Sequence, residues 1–82
     1  MYAVRNILKG TTMREYISNQ VQELRLKKSV TQEGLALAVG VSRQTIIAIE
    51  KGNYTPSVHL ALSIATYFKV PLEKIFTISY EQ

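Results

Sequence analysis

Eighty-two residues are enough for one domain and too few for two. Apolar side chains make up 46% of the chain, which suits a compact helical core and argues against disorder. Ten Lys and Arg against six Glu, with no Asp, give a net charge of +4; that is compatible with a polyanionic partner but too mild and too dispersed to identify one. The absence of Cys excludes disulfides, thiolate nucleophiles and thiolate metal sites. No apolar run reaches the ~20 residues of a membrane span. Residues 1–12 also lack the continuous apolar stretch of a secretion signal, so the expected location is the cytoplasm, with no membrane among the partners.

The segment from Tyr2 to Leu8 has strand-like composition. The run Lys9-Gly10-Thr11-Thr12-Met13 also reads as a translated ribosome-binding site, because Lys-Gly codons are purine-rich and two Thr codons separate them from a Met codon. On that reading Met13 is the biological start and the residues before it an upstream extension; the alternative is a genuine N-terminal arm. A first helix is predicted from about Ser18 to Lys28, with Val21, Leu24 and Arg25 facing inward. It ends at Ser29-Val30.

Thr31 reads as an N-cap for a second helix, Gln32 to Val39, which Gly40 stops. Ser42 caps a third helix that ends at Lys51-Gly52. The stretch Gly52-Asn53-Tyr54-Thr55-Pro56 is rich in turn formers. Ser57 caps a fourth helix, Val58 to Phe68, with Leu60, Ala61, Ile64, Ala65 and Phe68 at core spacing. Pro71 suits the first turn of a short fifth helix through Phe76. Thr77-Ile78-Ser79-Tyr80 alternates as a strand does, and a pairing of the two ends, within a chain or between subunits, is the expectation. The expected fold class is therefore all-α: a compact five-helix bundle with short terminal strands, divided into an arm or extension (residues 1–16), a helical domain (17–76) and a tail (77–82) suited to dimerisation.

Residues 32–51 satisfy the stereochemistry of a helix-turn-helix. Ala36 is small where the two helices must touch, and Gly40 stands where the turn needs a left-handed backbone. Leu35, Val39, Val41, Ile46 and Ile49 are apolar where the hinge must be buried. One such match means little, but seven in register are specific. Gly34 departs from a good helix former and should weaken the second helix by roughly 1 kcal/mol.

With these residues and the runs Gln22-Glu23-Leu24-Arg25, Pro56-Ser57 and Val70-Pro71-Leu72-Glu73-Lys74-Ile75-Phe76, residues 21–76 resemble the Cro/C1-type (Xre-family) helix-turn-helix domain of phage repressors and small bacterial regulators. The resemblance implies a lambda-repressor-like fold and a third helix (43–51) that enters the major groove of double-stranded operator DNA. Arg43 can then fork onto guanine O6 and N7, and Gln44 can pair with adenine N6 and N7. Thr45 can reach a base edge or a phosphate. Ile47, usually polar in the family, is expected to be exposed and to meet thymine methyl groups. Gln32 at the second helix's N-terminus, Ser42, Lys51, Asn53, Tyr54 and Thr55 are the candidates for backbone contacts. The resemblance also pairs Arg25 with Glu50 as a structural ion pair.

The implied function is transcriptional regulation, with repression the expected sense. The alternatives are an antitoxin or restriction-modification controller with the same docking, and a protein-interaction module that does not read DNA. A homodimer is expected, because a lone domain gains affinity and specificity on a two-fold operator. Leu72, Phe76, Ile78 and Tyr80 are candidates for its interface. His59 is alone, without a carboxylate pair, a serine partner or a glycine-rich phosphate loop, so neither catalysis nor any cofactor, metal or small-molecule ligand is expected.

Overall fold

The computed structural model of the chain describes residues 14–81; the strand expected over residues 2–8 and the start expected at Met13 lie outside them. Seven elements follow one another: β1 (Arg14–Asn19), α1 (Val21–Lys27), α2 (Gln32–Val39), α3 (Arg43–Glu50), α4 (Val58–Phe68), α5 (Leu72–Ile75) and β2 (Phe76–Glu81). Helices this short hold only when their first amide groups find acceptors. Three hydroxyls supply them: Thr31 accepts from the Gly34 amide at 2.9 Å, Ser42 from Thr45 at 3.2 Å and Ser57 from Leu60 at 3.1 Å. All three are the caps that the sequence predicts, and α2 and α4 have the predicted limits.

The first helix differs from expectation. Residues 18–20, predicted helical, do not join it, and α1 begins at Val21. Asn19 holds the junction: its Oδ1 accepts from the Val21 amide at 3.1 Å, while the Gln20 amide donates to the Ile75 carbonyl at 2.9 Å. Residues 14–19 are extended and pair antiparallel with β2, Ile17 opposite Ile78 and Ser18 opposite Thr77. The Ser18 hydroxyl lies 2.8 Å from that of Thr77 and 2.9 Å from that of Ser79, so polar cross-strand contacts lock the register. The C-terminal strand is thus where the sequence places it, and among the described residues its partner is β1, which straddles the boundary drawn at residue 17.

The helices pack around Val21, Leu35, Ile46, Ile49, Ile64 and Ile75, all wholly buried, with Ala36, Leu60, Ala65 and Phe68 completing the core. Every helix contributes to this cluster, so α2 and α3 rest on the other three helices as on a platform. The five core positions predicted in α4 are all buried. Among the described residues no helix is long and apolar enough to cross a membrane.

Candidate nucleic-acid interface

The α2–turn–α3 unit owes its angle to two small residues. Ala36 is 2% exposed, so the helices approach closely there. Four residues on, Gly40 adopts φ +78° and ψ +34°, a left-handed conformation that a Cβ would strain. This turn brings the amides of Gly40 and Val41 onto the same Ala36 carbonyl, at 2.9 and 3.0 Å. Leu35, Ile46 and Ile49 are wholly buried, and Val39 and Val41 pack half-buried against them. Gly34 has a reason the sequence does not reveal. A Cβ there would sit 3.1 Å from the capping Thr31 Oγ1 and 3.4 Å from Val30, so a larger residue would crowd the cap.

The far end of α3 is braced by charge. Arg25 donates from Nε to Glu50 Oε2 at 2.7 Å and from Nη2 to Oε1 at 3.1 Å, a two-pronged pair whose side chains are 9% and 4% exposed. The remaining guanidinium nitrogen donates to the Val30 carbonyl at 3.0 Å, in the loop before α2. One pair of side chains therefore ties α1, that loop and α3 together. From the other side the Asn19 amide donates to the Ile49 carbonyl at 2.9 Å, anchoring the last turn of α3 to the sheet. Sequence reasoning missed Asn19, since its role depends on a contact thirty residues away.

With α3 held at both ends, its outer face is open among the described residues. Ser42, Arg43 and Gln44 are exposed at its start, and Lys51, Asn53, Tyr54 and Thr55 are exposed in the turn beyond it. Thr45 is half-buried, its hydroxyl 3.1 Å from that of Ser42. Ile47 is half-buried too, where the sequence suggests full exposure. Helical side chains lean back over the preceding turn, so only part of a residue at this position is offered outward.

Gln32 departs further from the simple phosphate-binding expectation. It is half-buried, and its amide nitrogen donates to Glu50 Oε1 at 3.1 Å, making it a third member of the brace. It also lines an open hollow of about 500 Å³, with Arg25, Thr31, Glu33 and Arg43 around it. Arg43 borders this concavity at the N-terminus of α2, where Glu33 adds a carboxylate and the Arg25 guanidinium is already engaged by Glu50 and Val30. His59 lies elsewhere, exposed on α4 beside Leu62 and Tyr67.

Known proteins share this unit. A helix-turn-helix family matches residues 21–75, from the start of α1 to the end of α5. The HTH-type transcriptional regulator MJ0272 of Methanocaldococcus jannaschii is 53% identical over 60 residues, which cover 73% of this chain and 91% of that protein. The HTH-type transcriptional regulator YgzD of Bacillus subtilis is 46% identical over 65 residues, covering 79% of this chain and 98% of that one. Among solved structures, the restriction-modification controller protein C.AhdI from Aeromonas hydrophila superposes with a TM-score of 0.62 at 30% identity, over 66% of this chain and 82% of its own. By motif, fold and relatives, the chain belongs to the helix-turn-helix family, in its Cro/C1 form.

Proposed function

We propose that the chain binds double-stranded DNA in a sequence-specific manner, as a cytoplasmic homodimer, and regulates transcription by occupying its operator. One observation carries the reading: Arg43 and Gln44 stand exposed on the first turn of a helix whose other face, Ile46 and Ile49, is wholly buried and whose end is clamped by Arg25 and Glu50. Polar side chains on a rigidly held helix read base edges without first being ordered. Arg43 takes guanine and Gln44 adenine, each worth ~1–3 kcal/mol of discrimination. Thr45 and Ile47 complete the base-reading set, Ile47 through thymine methyls. Ser42, Lys51, Asn53, Tyr54 and Thr55 grip the phosphates. Gln32 does so with the amide hydrogen that Glu50 leaves free.

Binding-site selection with the purified chain, followed by a salt titration on the selected duplex, tests this. A defined consensus and a slope of log K against log salt near −0.9 per neutralised phosphate are expected. A slope near zero would instead favour a protein-interaction module. The likeness to a restriction-modification controller supports a second biological role with the same docking, in which the operator lies beside a methyltransferase gene. An antitoxin would act in the same way, beside a toxin gene. Mapping the selected site onto the chain's own gene neighbourhood separates these roles from that of a free-standing repressor.

A further inference from the structure

The turn after α3, which carries Lys51, Asn53, Tyr54 and Thr55, is held from two directions. From within, Gly52 adopts φ +81°, a left-handed backbone, and closes a Schellman motif: the Asn53 amide donates to the Ala48 carbonyl at 2.9 Å and the Gly52 amide to the Ile49 carbonyl at 3.0 Å. From outside, Asn19 Nδ2 donates to that same Ile49 carbonyl at 2.9 Å. A carbonyl oxygen has two lone pairs, and this one uses both. The sheet and the turn therefore share one acceptor. The support behind Asn19 is firm, since its backbone pairs with Phe76 and the next amide, of Gln20, donates to the Ile75 carbonyl at 2.9 Å. Its Oδ1 accepts from the Val21 amide at 3.1 Å, so the side-chain amide is fixed through both its ends. Starting α1 needs only that oxygen, which Ser, Thr or Asp would supply as well. The nitrogen is the half that α3 alone uses.

We infer that Asn19 is a positioning residue for DNA binding: through the Ile49 carbonyl it sets residues 51–55 against the phosphate backbone. The inference rests on the DNA reading proposed above and extends it to a half-buried side chain at the end of β1. Without the Asn19 donor the Ile49 carbonyl is tied only to the turn that it should fix, and Gly52, which has no Cβ, gives that turn latitude to shift. A phosphate-binding side chain then has to be ordered at the moment of binding, which weakens association. Base reading sits at the opposite end of α3, where Ser42 caps the helix and Arg43 and Gln44 occupy its first turn. Phosphate contacts carry no sequence information, so the loss falls on affinity and leaves the choice of sequence alone.

Two variants of the intact chain test this. Asn19→Ser keeps an acceptor for the Val21 amide but is too short to reach Ile49, and Asn19→Asp keeps the shape but has no donor. Both should leave far-UV circular dichroism unchanged. Amide hydrogen exchange followed by NMR is the first readout: the Gly52 and Asn53 amides should exchange at least about fivefold faster, while those of Thr45 and Ile46 keep their wild-type rates. Binding is the second. On the duplex selected by the wild type, Asn19→Ser should bind roughly three- to tenfold more weakly, the scale of one hydrogen bond. The salt slope should flatten by about 1, and the preference over a scrambled duplex should stay the same. A merely structural cap would lower the melting temperature and leave the slope as it is. Added to Lys51→Ala, Asn19→Ser should cost less than it does in the wild type, whereas with Gln44→Ala the two losses should multiply. Unchanged exchange at Gly52 and Asn53, a retained salt slope, or full multiplication with Lys51→Ala overturns the proposal. If exchange quickens as expected and the wild type binds no duplex, the DNA reading fails and only the hold of Asn19 on the turn stands.

Discussion

Glu50→Ala is the perturbation from which most can be learned about the brace behind the reading helix. The substitution removes the acceptor of both Arg25 prongs, at 2.7 and 3.1 Å, and of the Gln32 amide at 3.1 Å. It leaves a guanidinium group whose side chain is 9% exposed with only the Val30 carbonyl, at 3.0 Å, as partner. An uncompensated buried charge of this kind costs ~3–5 kcal/mol. A domain of this length has ~4–12 kcal/mol of stability in all, so about a quarter of it or more should disappear. At ~4–8 °C per kcal/mol the melting midpoint should fall by roughly 12–40 °C. Urea unfolding followed by circular dichroism gives the free energy directly. The double substitution Arg25→Met with Glu50→Leu should recover most of the loss, because it removes both charges instead of stranding one. A cost below ~1 kcal/mol for Glu50→Ala, the scale of an exposed pair, would refute the claim that this pair is desolvated and braces α3.

Gly40→Ala meets open space but forces a left-handed backbone, so a loss of ~1–2 kcal/mol in thermal unfolding is expected from strain alone. Ser42→Ala removes the α3 cap and should lower stability by about 1 kcal/mol, measured in the same way. Lys51→Ala should weaken binding to all duplexes about equally and reduce the magnitude of the salt slope by about 1; a change in the selected sequence would contradict a phosphate role. Ile47→Ser should diminish a thymine preference in the selected site, and an unchanged preference would mean that the half-buried isoleucine serves packing alone.

The parts of this protein that were legible in the sequence are those governed by neighbours one helical turn away. Thr31, Ser42 and Ser57 each cap a helix through an amide three residues on, and Gly40 turns the chain where it stands. The apolar period of α4 predicts its buried face because a helix places residues three and four apart on one side. The reading face follows in part from the same rule: once Ile46 and Ile49 are assigned to the core, Gln44 must face away, with Arg43 at the edge of that outer face. The Arg25–Glu50 pair was reached through resemblance, and no local rule would have found it across twenty-five residues.

Tertiary structure decided the rest, and the reason is the same in each case. Ile17-Ser18-Asn19 has the composition of a helix entrance, and its extended form depends on hydroxyl and backbone partners about sixty residues away in β2. Gln32, expected at a phosphate, is also tied to a carboxylate eighteen residues on. The Asn19 amide and the Ile49 carbonyl meet only when β1 and α3 are brought together. The sequence by itself determined the helices, their caps and the helix-turn-helix, since these depend on local spacing. Only the folded chain decided how the reading helix is braced and what holds the turn beyond it, since both depend on contacts between segments remote in sequence.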